Sequence, residues 1–300
     1  MTAFETRLSE IAALTGEGLA ARLCDAVGAG EAARPPRLLA AMRHGALNGG
    51  KRLRPFLLIE SAGLFGTPQD EALPAALALE CIHCYSLIHD DLPAMDDDDL
   101  RRGKPTVHKA YDEATAILAG DGLLTLAFDI LAGADTHGDA AIRCELIAAL
   151  SGAAGIGGMV GGQMFDLEAE TIAPDPGRIR LLQSMKTGAL IRFACEAGAI
   201  LAGADSAERL RLRRFGELSG AAFQLADDIL DVTASGDVMG KRTGKDAGRG
   251  KGTLVQSIGL EQARAEADRL AEEAIALLAP YGEKSAMLAD CARFIVSRGN

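Results

Sequence analysis

The chain has 300 residues, a formal net charge of −11 and 48% apolar residues, which excludes wholesale disorder and leaves room for a large core. Ala and Leu dominate while Val occurs seven times, a balance that favours helices over parallel strands. The acidic balance speaks against a nucleic-acid partner, and a chain of this length has no need of its six scattered cysteines as disulfide staples.

Residues 1–24 read as an amphipathic helix with Phe4, Leu8, Ile11 and Leu14 on one side. No apolar run follows a basic start there, so no leader is expected and the pattern fits a cytoplasmic protein. After a GAGEAARPP loop, RLLAAMRHGAL resumes a helix that NGG ends. KRLRPFLLIESAGLFG reads as a basic turn and an apolar helix with Pro55 near its start. A long helix over 71–91 is expected to end near Pro93. It carries Cys81-x-x-Cys84, which without a matching second pair reads as core or pocket lining rather than a redox or zinc site. Residues 92–109 form an acidic and basic loop, followed by a helical run over 111–133. Residues 139–169 supply a pair of helices or one long one. Within them Leu146 to Phe165 carries no charge, but six glycines favour tight helix packing over stable membrane insertion. Asp175-Pro176 marks a helix start, and Asp205 and Glu208 have capping-box spacing. Residues 207–232 hold a second acidic cluster, 233–253 a basic glycine-rich loop, and two helices close the chain over roughly 260–296. No strand–helix alternation and no linker appear. The expectation is one all-α domain over 1–300.

The chemistry concentrates in two acidic clusters. In FQLADDILD, Gln224, Asp227, Asp228 and Asp231 stand at i, i+3, i+4 and i+7, along one helical face. Stacked like charges repel, and a bound hard cation such as Mg²⁺ removes the penalty. The bland alternative is an exposed acidic face. In the first cluster Asp90, Asp91 and Asp96 span too many residues to share a regular helical face. Pro93 can fold the chain back, or Asp97 can serve if the helix continues. Asp98 and Asp99 read as solvated or structural. Arg101, Arg102, Lys186, Lys241 and Lys251 suit phosphate oxygens, and Lys51, Arg54 and His83 suit a second phosphate group. GDVMGKRT has three residues between its glycines and Arg242 where a P-loop needs Ser or Thr, and GIGGMVGG follows no strand, so neither is a nucleotide fingerprint. His44, His89 and His108 are scattered and suggest no zinc site.

GGKRLRP at 49–55, LIHDDLPAMDDDDLRRG at 87–103, GGQMFDL at 161–167, KTG at 186–188 and FQLADDILD at 223–231 together resemble the bacterial short-chain trans-prenyl diphosphate synthases, nearest the farnesyl diphosphate synthases, over nearly the whole chain. The resemblance implies an all-α isoprenoid synthase fold around a deep cavity, a homodimer, and condensation of isopentenyl diphosphate with dimethylallyl or geranyl diphosphate. It implies Mg²⁺, three ions per site with Mn²⁺ as a substitute, at Asp90, Asp91, Asp96, Asp227, Asp228 and Asp231. It places isopentenyl diphosphate at Lys51, Arg54, His83 and Arg102, and allylic diphosphate at Arg101, Lys186 and Lys241. Thr187 and Gln224 fall near the reacting carbons, Gln163 and Asp166 in a supporting segment. Catalysis so implied is ionisation of the allylic diphosphate, attack by the isopentenyl double bond and loss of a proton, with positioning and electrostatics dominant. Tyr85, with small Ser86 beside it, implies a floor that stops the product at fifteen carbons. Geranyl and geranylgeranyl diphosphate remain alternatives. The chain departs from the family pattern in GKGT at 250–253, where a hydroxyl beside Lys251 is missing, and in its SRGN end. A terpene cyclase would share the aspartates but not the second basic set, and a non-catalytic helical scaffold explains neither.

Overall fold

Several helix starts follow local chemistry. Helix α1 (Ala3–Arg22) begins at Thr2, whose hydroxyl accepts from the Glu5 N–H at 3.2 Å while the Glu5 carboxylate accepts from the Thr2 N–H at 2.7 Å. This reciprocal pair satisfies two donors that have no partner within the helix. The buried stripe of α1 is Phe4, Leu8, Ile11, Thr15 and Leu19. Leu14, expected on that face, is only half-buried, because the row steps from Ile11 to Thr15. Thr15 tolerates the position by returning its hydroxyl to the Ile11 carbonyl at 2.7 Å.

The computed structural model describes residues 1–171, 174–237 and 254–297. After α1 come α2 (Pro36–Ala46), α3 (Leu53–Gly63), α4 (Gln69–Asp90), α5 (Val107–Ala110) and α6 (Glu113–Ala132). Then follow α7 (Ala140–Ala154), α8 (Met159–Glu168), α9 (Pro176–Gln183), α10 (Ala189–Leu201) and α11 (Ser206–Asp237). The last are α12 (Leu254–Ile258), α13 (Leu260–Leu277) and α14 (Ala286–Ser297). The fold is all-α. The one sheet among the described residues is a two-residue antiparallel ribbon, β1 (Leu100–Arg101) with β2 (Lys104–Pro105), set within the acidic and basic loop.

Two compact units are formed, Met1–Ile59 with Pro68–Ile147, and Glu60–Thr67 with Ala148–Asn300. In the first, α4 packs chiefly against α6. A Cβ on Gly120 would come within 2.0 Å of His89 Nε2, so glycine permits this approach. In the second, α11 lies against α10 and α13. Ile179, Leu225, Ile229, Leu254, Val255, Ala263 and Ala267 form one buried cluster there. Asp175 caps α9 by accepting from the Arg178 N–H at 2.9 Å, with Pro176 at the first helical position as its sequence foretells.

Three stretches, Gln69–Asp90, Glu113–Ala132 and Ala140–Glu168, are long and apolar enough to cross a membrane. The third is two helices, α7 and α8, parted by a turn over 155–158, so the uncharged run from Leu146 to Phe165 is not one continuous helix. Helix α11 runs through Asp237, taking in the first five residues of the expected basic loop. The remainder of that loop, with Lys241 and Lys251, lies outside the described residues, as does most of SRGN.

Candidate active site

In the first unit, α4 ends at Asp90 and the chain turns back on itself. The Asp96 N–H donates to the Asp90 carbonyl at 2.8 Å, and the Asp98 N–H to the Asp91 carbonyl at 3.1 Å. Asp96 is thereby placed beside Asp90, while Asp97 bonds back to Leu92 and is exposed in a left-handed conformation (φ 49°). Asp98 lies 3.5 Å from Arg101 and Asp99 2.9 Å from Lys109, so both serve the loop's structure. Asp91 is 3% exposed, and its Oδ1 accepts from Arg101 Nε at 2.9 Å and Nη2 at 2.5 Å. Burial raises its pKa, and the Arg101 fork opposes that rise.

The basic set of the same unit is built around a buried pair. Arg52, left-handed at φ 49°, sends its guanidinium inward to Glu80 at 2.5 Å and to the Ala46 carbonyl at 2.5 Å. Of its basic neighbours, Lys51 is exposed and Arg54 half-buried. Sequence reasoning passed over Arg52, since nothing local distinguishes it from its basic neighbours. Arg54 Nη1 stands 3.3 Å from His83 Nε2. Burial, then the charges of Arg54, Arg102, Arg52 and Arg101, hold the His83 pKa well below 6.5. Arg102 donates to the Gly49 carbonyl. A Cβ on Gly50 would come within 2.6 Å of that guanidinium, and φ +112° there also demands glycine. Lys51, Arg54, His83 and Arg102 are thus all carried by two adjoining segments and the β-ribbon turn.

Tyr85 is 6% exposed, with its ring edge-on to His89 at 5.8 Å. Burial, with the Asp90 charge, lifts its pKa to about 12, so it stays a neutral phenol. The Ser86 hydroxyl is spent on the His83 carbonyl at 2.9 Å. His89 Nε2 meets the Ile117 carbonyl at 3.0 Å, which ties the last turn of α4 to α6. Cys81 and Cys84 are buried, and Cys84 is held as a thiol with its pKa near 12 by burial, in keeping with core packing.

In the second unit the helical stretch that starts at Asp175-Pro176 is interrupted. Ser184–Gly188 forms a π turn between α9 and α10. Such wide turns disrupt the helical ladder and cluster at functional sites. This one carries Lys186 and Thr187. Lys186 Nζ donates to Asp166 Oδ2 at 2.7 Å, and Thr187 Oγ1 donates to Gln224 Oε1 at 2.9 Å. Gly162 of α8 lies against the turn so closely that a Cβ would reach 2.7 Å from the Lys186 Cα. Gln163 Nε2 is a buried donor with no partner among the described residues. Along α11, Asp227 is half-exposed and Asp231 exposed, whereas Asp228 is 6% exposed. Asp228 accepts from Gln183 Nε2 at 2.8 Å and from Gln224 Nε2 at 3.1 Å. Burial raises its pKa against those bonds. Gln183 escaped sequence reasoning because only the π turn aims it at α11.

Both aspartate pairs share one pattern. The first member is half-exposed, and the second is buried and hydrogen-bonded within its own unit. Among the described residues no three His, Cys, Asp or Glu side chains gather closely enough to hold a cation by themselves. All the candidate donors are carboxylate oxygens, few at a time, which suits Mg²⁺, an ion that keeps waters and takes phosphate oxygens.

Comparison with known proteins agrees with this chemistry. The polyprenyl synthetase family model matches residues 35–289. The farnesyl diphosphate synthase of Escherichia coli (strain K12) is 49% identical over 246 residues, 81% of this chain and 82% of that protein. The chloroplastic geranylgeranyl pyrophosphate synthase of Catharanthus roseus is 43% identical over 270 residues, 89% of this chain and 75% of that protein. The solved structure of an FPP/GFPP synthase from Zymomonas mobilis matches with a TM-score of 0.87 at 44% identity, covering 98% of each chain.

Proposed function

This chain belongs to the polyprenyl synthetase family and is a prenyltransferase that elongates prenyl chains head to tail, and we propose that it joins isopentenyl diphosphate to dimethylallyl or geranyl diphosphate with farnesyl diphosphate as main product. The observation that carries the reading is the Lys186–Thr187 π turn, wired through Gln224 to the second acidic motif. It preorganises a cation and a hydroxyl beside carboxylates.

Family membership implies Mg²⁺-dependent catalysis, and the bound metal would stabilise the charge of the departing diphosphate. Asp90, Asp91, Asp96, Asp227, Asp228 and Asp231 are the residues that would hold it. Lys51, Arg54, His83 and Arg102 bind isopentenyl diphosphate, and Arg101 and Lys186 bind the allylic diphosphate, with Lys241 and Lys251 as further cations. The Thr187 hydroxyl donates to Gln224, so its lone pairs are left as dipole ends for the allylic cation. The released diphosphate takes the proton lost from C2. We place the enzyme in the cytoplasm, as a homodimer joined through α6.

Purified protein should be given dimethylallyl, geranyl or farnesyl diphosphate with labelled isopentenyl diphosphate, and the products separated by length. Fifteen-carbon product from the first two starters and none from the third is the expected outcome. The similarity to a plant geranylgeranyl pyrophosphate synthase favours a second reading, in which products accumulate at twenty carbons. No elongation with any starter would refute the assignment.

A further inference from the structure

Gln183 is the last residue of α9, and the π turn begins directly after it. Two side chains at the borders of that turn bond to α11 one helical turn apart, Gln183 to Asp228 and Thr187 to Gln224. Gln224 and Asp228 are themselves joined, Nε2 to Oδ1 at 3.1 Å. The result is a continuous chain, Gln183–Asp228–Gln224–Thr187, in which the bonds have a forced direction. A carboxylate only accepts, so Gln224 must turn its NH₂ toward Asp228. Its carbonyl then faces Thr187, which must donate. The hydroxyl lone pairs are thereby pointed away from Gln224.

We propose that Gln183 is a positioning residue: by holding the second oxygen of Asp228 it fixes the Gln224 amide, and through it the direction of the Thr187 hydroxyl at the reacting centre. Without the Gln183 N–H, Oδ2 of Asp228 loses its side-chain donor, and the rotation of the carboxylate is left to its bonds with the Gln224 amide and the Leu254 backbone N–H. Gln224 can then reverse its amide, and Thr187 loses its acceptor. Gln183 itself touches no reacting atom in this scheme. Asp166 plays a parallel part for Lys186, but through a direct ion pair at 2.7 Å.

The inference rests on the reading of Thr187 and Gln224 as groups near the reacting carbons, so the wild-type protein is assayed beside each variant. Gln183→Met keeps the volume and removes the donor. Gln183→His keeps an N–H donor, and Gln183→Glu puts an acceptor against Asp228. Steady-state rates are measured with geranyl diphosphate, isopentenyl diphosphate and Mg²⁺, with the melting temperature of each variant as a check on folding. We expect kcat to fall about tenfold in Gln183→Met, further in Gln183→Glu, and to recover to within about threefold in Gln183→His. The KM for isopentenyl diphosphate should stay within about twofold of wild type, since the basic set is not touched. Wild-type kcat in the Met variant, or a Glu variant as fast as Met, overturns the proposal. A fall in kcat that is recovered by excess Mg²⁺ also overturns it, because the residue would then act through the metal. An inactive wild type would instead overturn the functional reading on which the inference stands.

Discussion

His83, proposed above as part of the isopentenyl diphosphate site, also bears on stability. Its folded pKa is depressed, chiefly by burial and then by the surrounding arginines. The unfolded chain therefore binds the proton more tightly than the native protein. The stabilising contribution is complete above the unfolded pKa of about 6.5 and is lost as pH falls below it toward the folded value. Urea unfolding at a series of pH values should show stability dropping on the acid side of neutrality, and His83→Asn should flatten that slope; an identical slope in the variant would remove His83 as the cause. Tyr85 makes a different residue-scale case. The ring is buried, and His89 packs against it edge-on, so its place is fixed rather than adaptable. Tyr85→Ala opens a cavity costing on the order of 3 kcal/mol. With farnesyl diphosphate as starter it should also pass the fifteen-carbon limit. An active variant that still stops there would exclude Tyr85 as the floor. The remaining candidate is then the facing helix around Ile117, which is 45% exposed, rather than Phe56, which is fully buried edge-on to Phe4.

At the scale of elements, the active-site groups depend on close backbone approach. Alanine in place of a helical glycine ordinarily gains up to about 1 kcal/mol in helix propensity. At Gly162 the added Cβ would meet backbone atoms of Lys186 and Met185, which cannot swing aside as a side-chain end could. Overpacking of that kind costs about 1–3 kcal/mol, so it wins. Gly162→Ala should lower the melting temperature and also reduce kcat, because the displaced element is the π turn that bears Lys186 and Thr187. Unchanged kcat in a folded variant would show that the turn tolerates movement. The β-ribbon obeys a related rule. Its turn residues Arg102 and Gly103 both have positive φ, at 54° and 77°, as a tight two-residue hairpin requires. The left-handed Arg102 is the cost of aiming a guanidinium at the Gly49 carbonyl.

For the whole molecule, α6 leaves Ile117 and Leu118 exposed at 45% and 56% on an otherwise strongly apolar helix. An isologous contact through α6 would cover them. Sedimentation equilibrium at micromolar concentration should therefore give a species of twice 31.2 kDa, and Leu118→Asp should shift it toward the monomer. A wild-type protein that stays at the single-chain mass on dilution and concentration alike would count against the dimer.

Sequence alone determined the helices, because apolar period, caps such as Asp175-Pro176 and glycine stops are local signals. It also supplies the candidate acidic and basic groups, since charge pattern and motif order are written in the chain itself. It left the partner of Asp90 open between Asp96 and Asp97, and the fold-back bond from Asp96 to the Asp90 carbonyl favours Asp96, a geometry set by backbone hydrogen bonds rather than by residue type. The π turn has no compositional signature in KTG, and it lies where α8 and α11 pack against it. Arg52 and Gln183 stayed hidden for the same reason. Each is one polar residue among several, and each acquires its role from a partner 28 or 45 residues away, brought within hydrogen-bond reach only by packing.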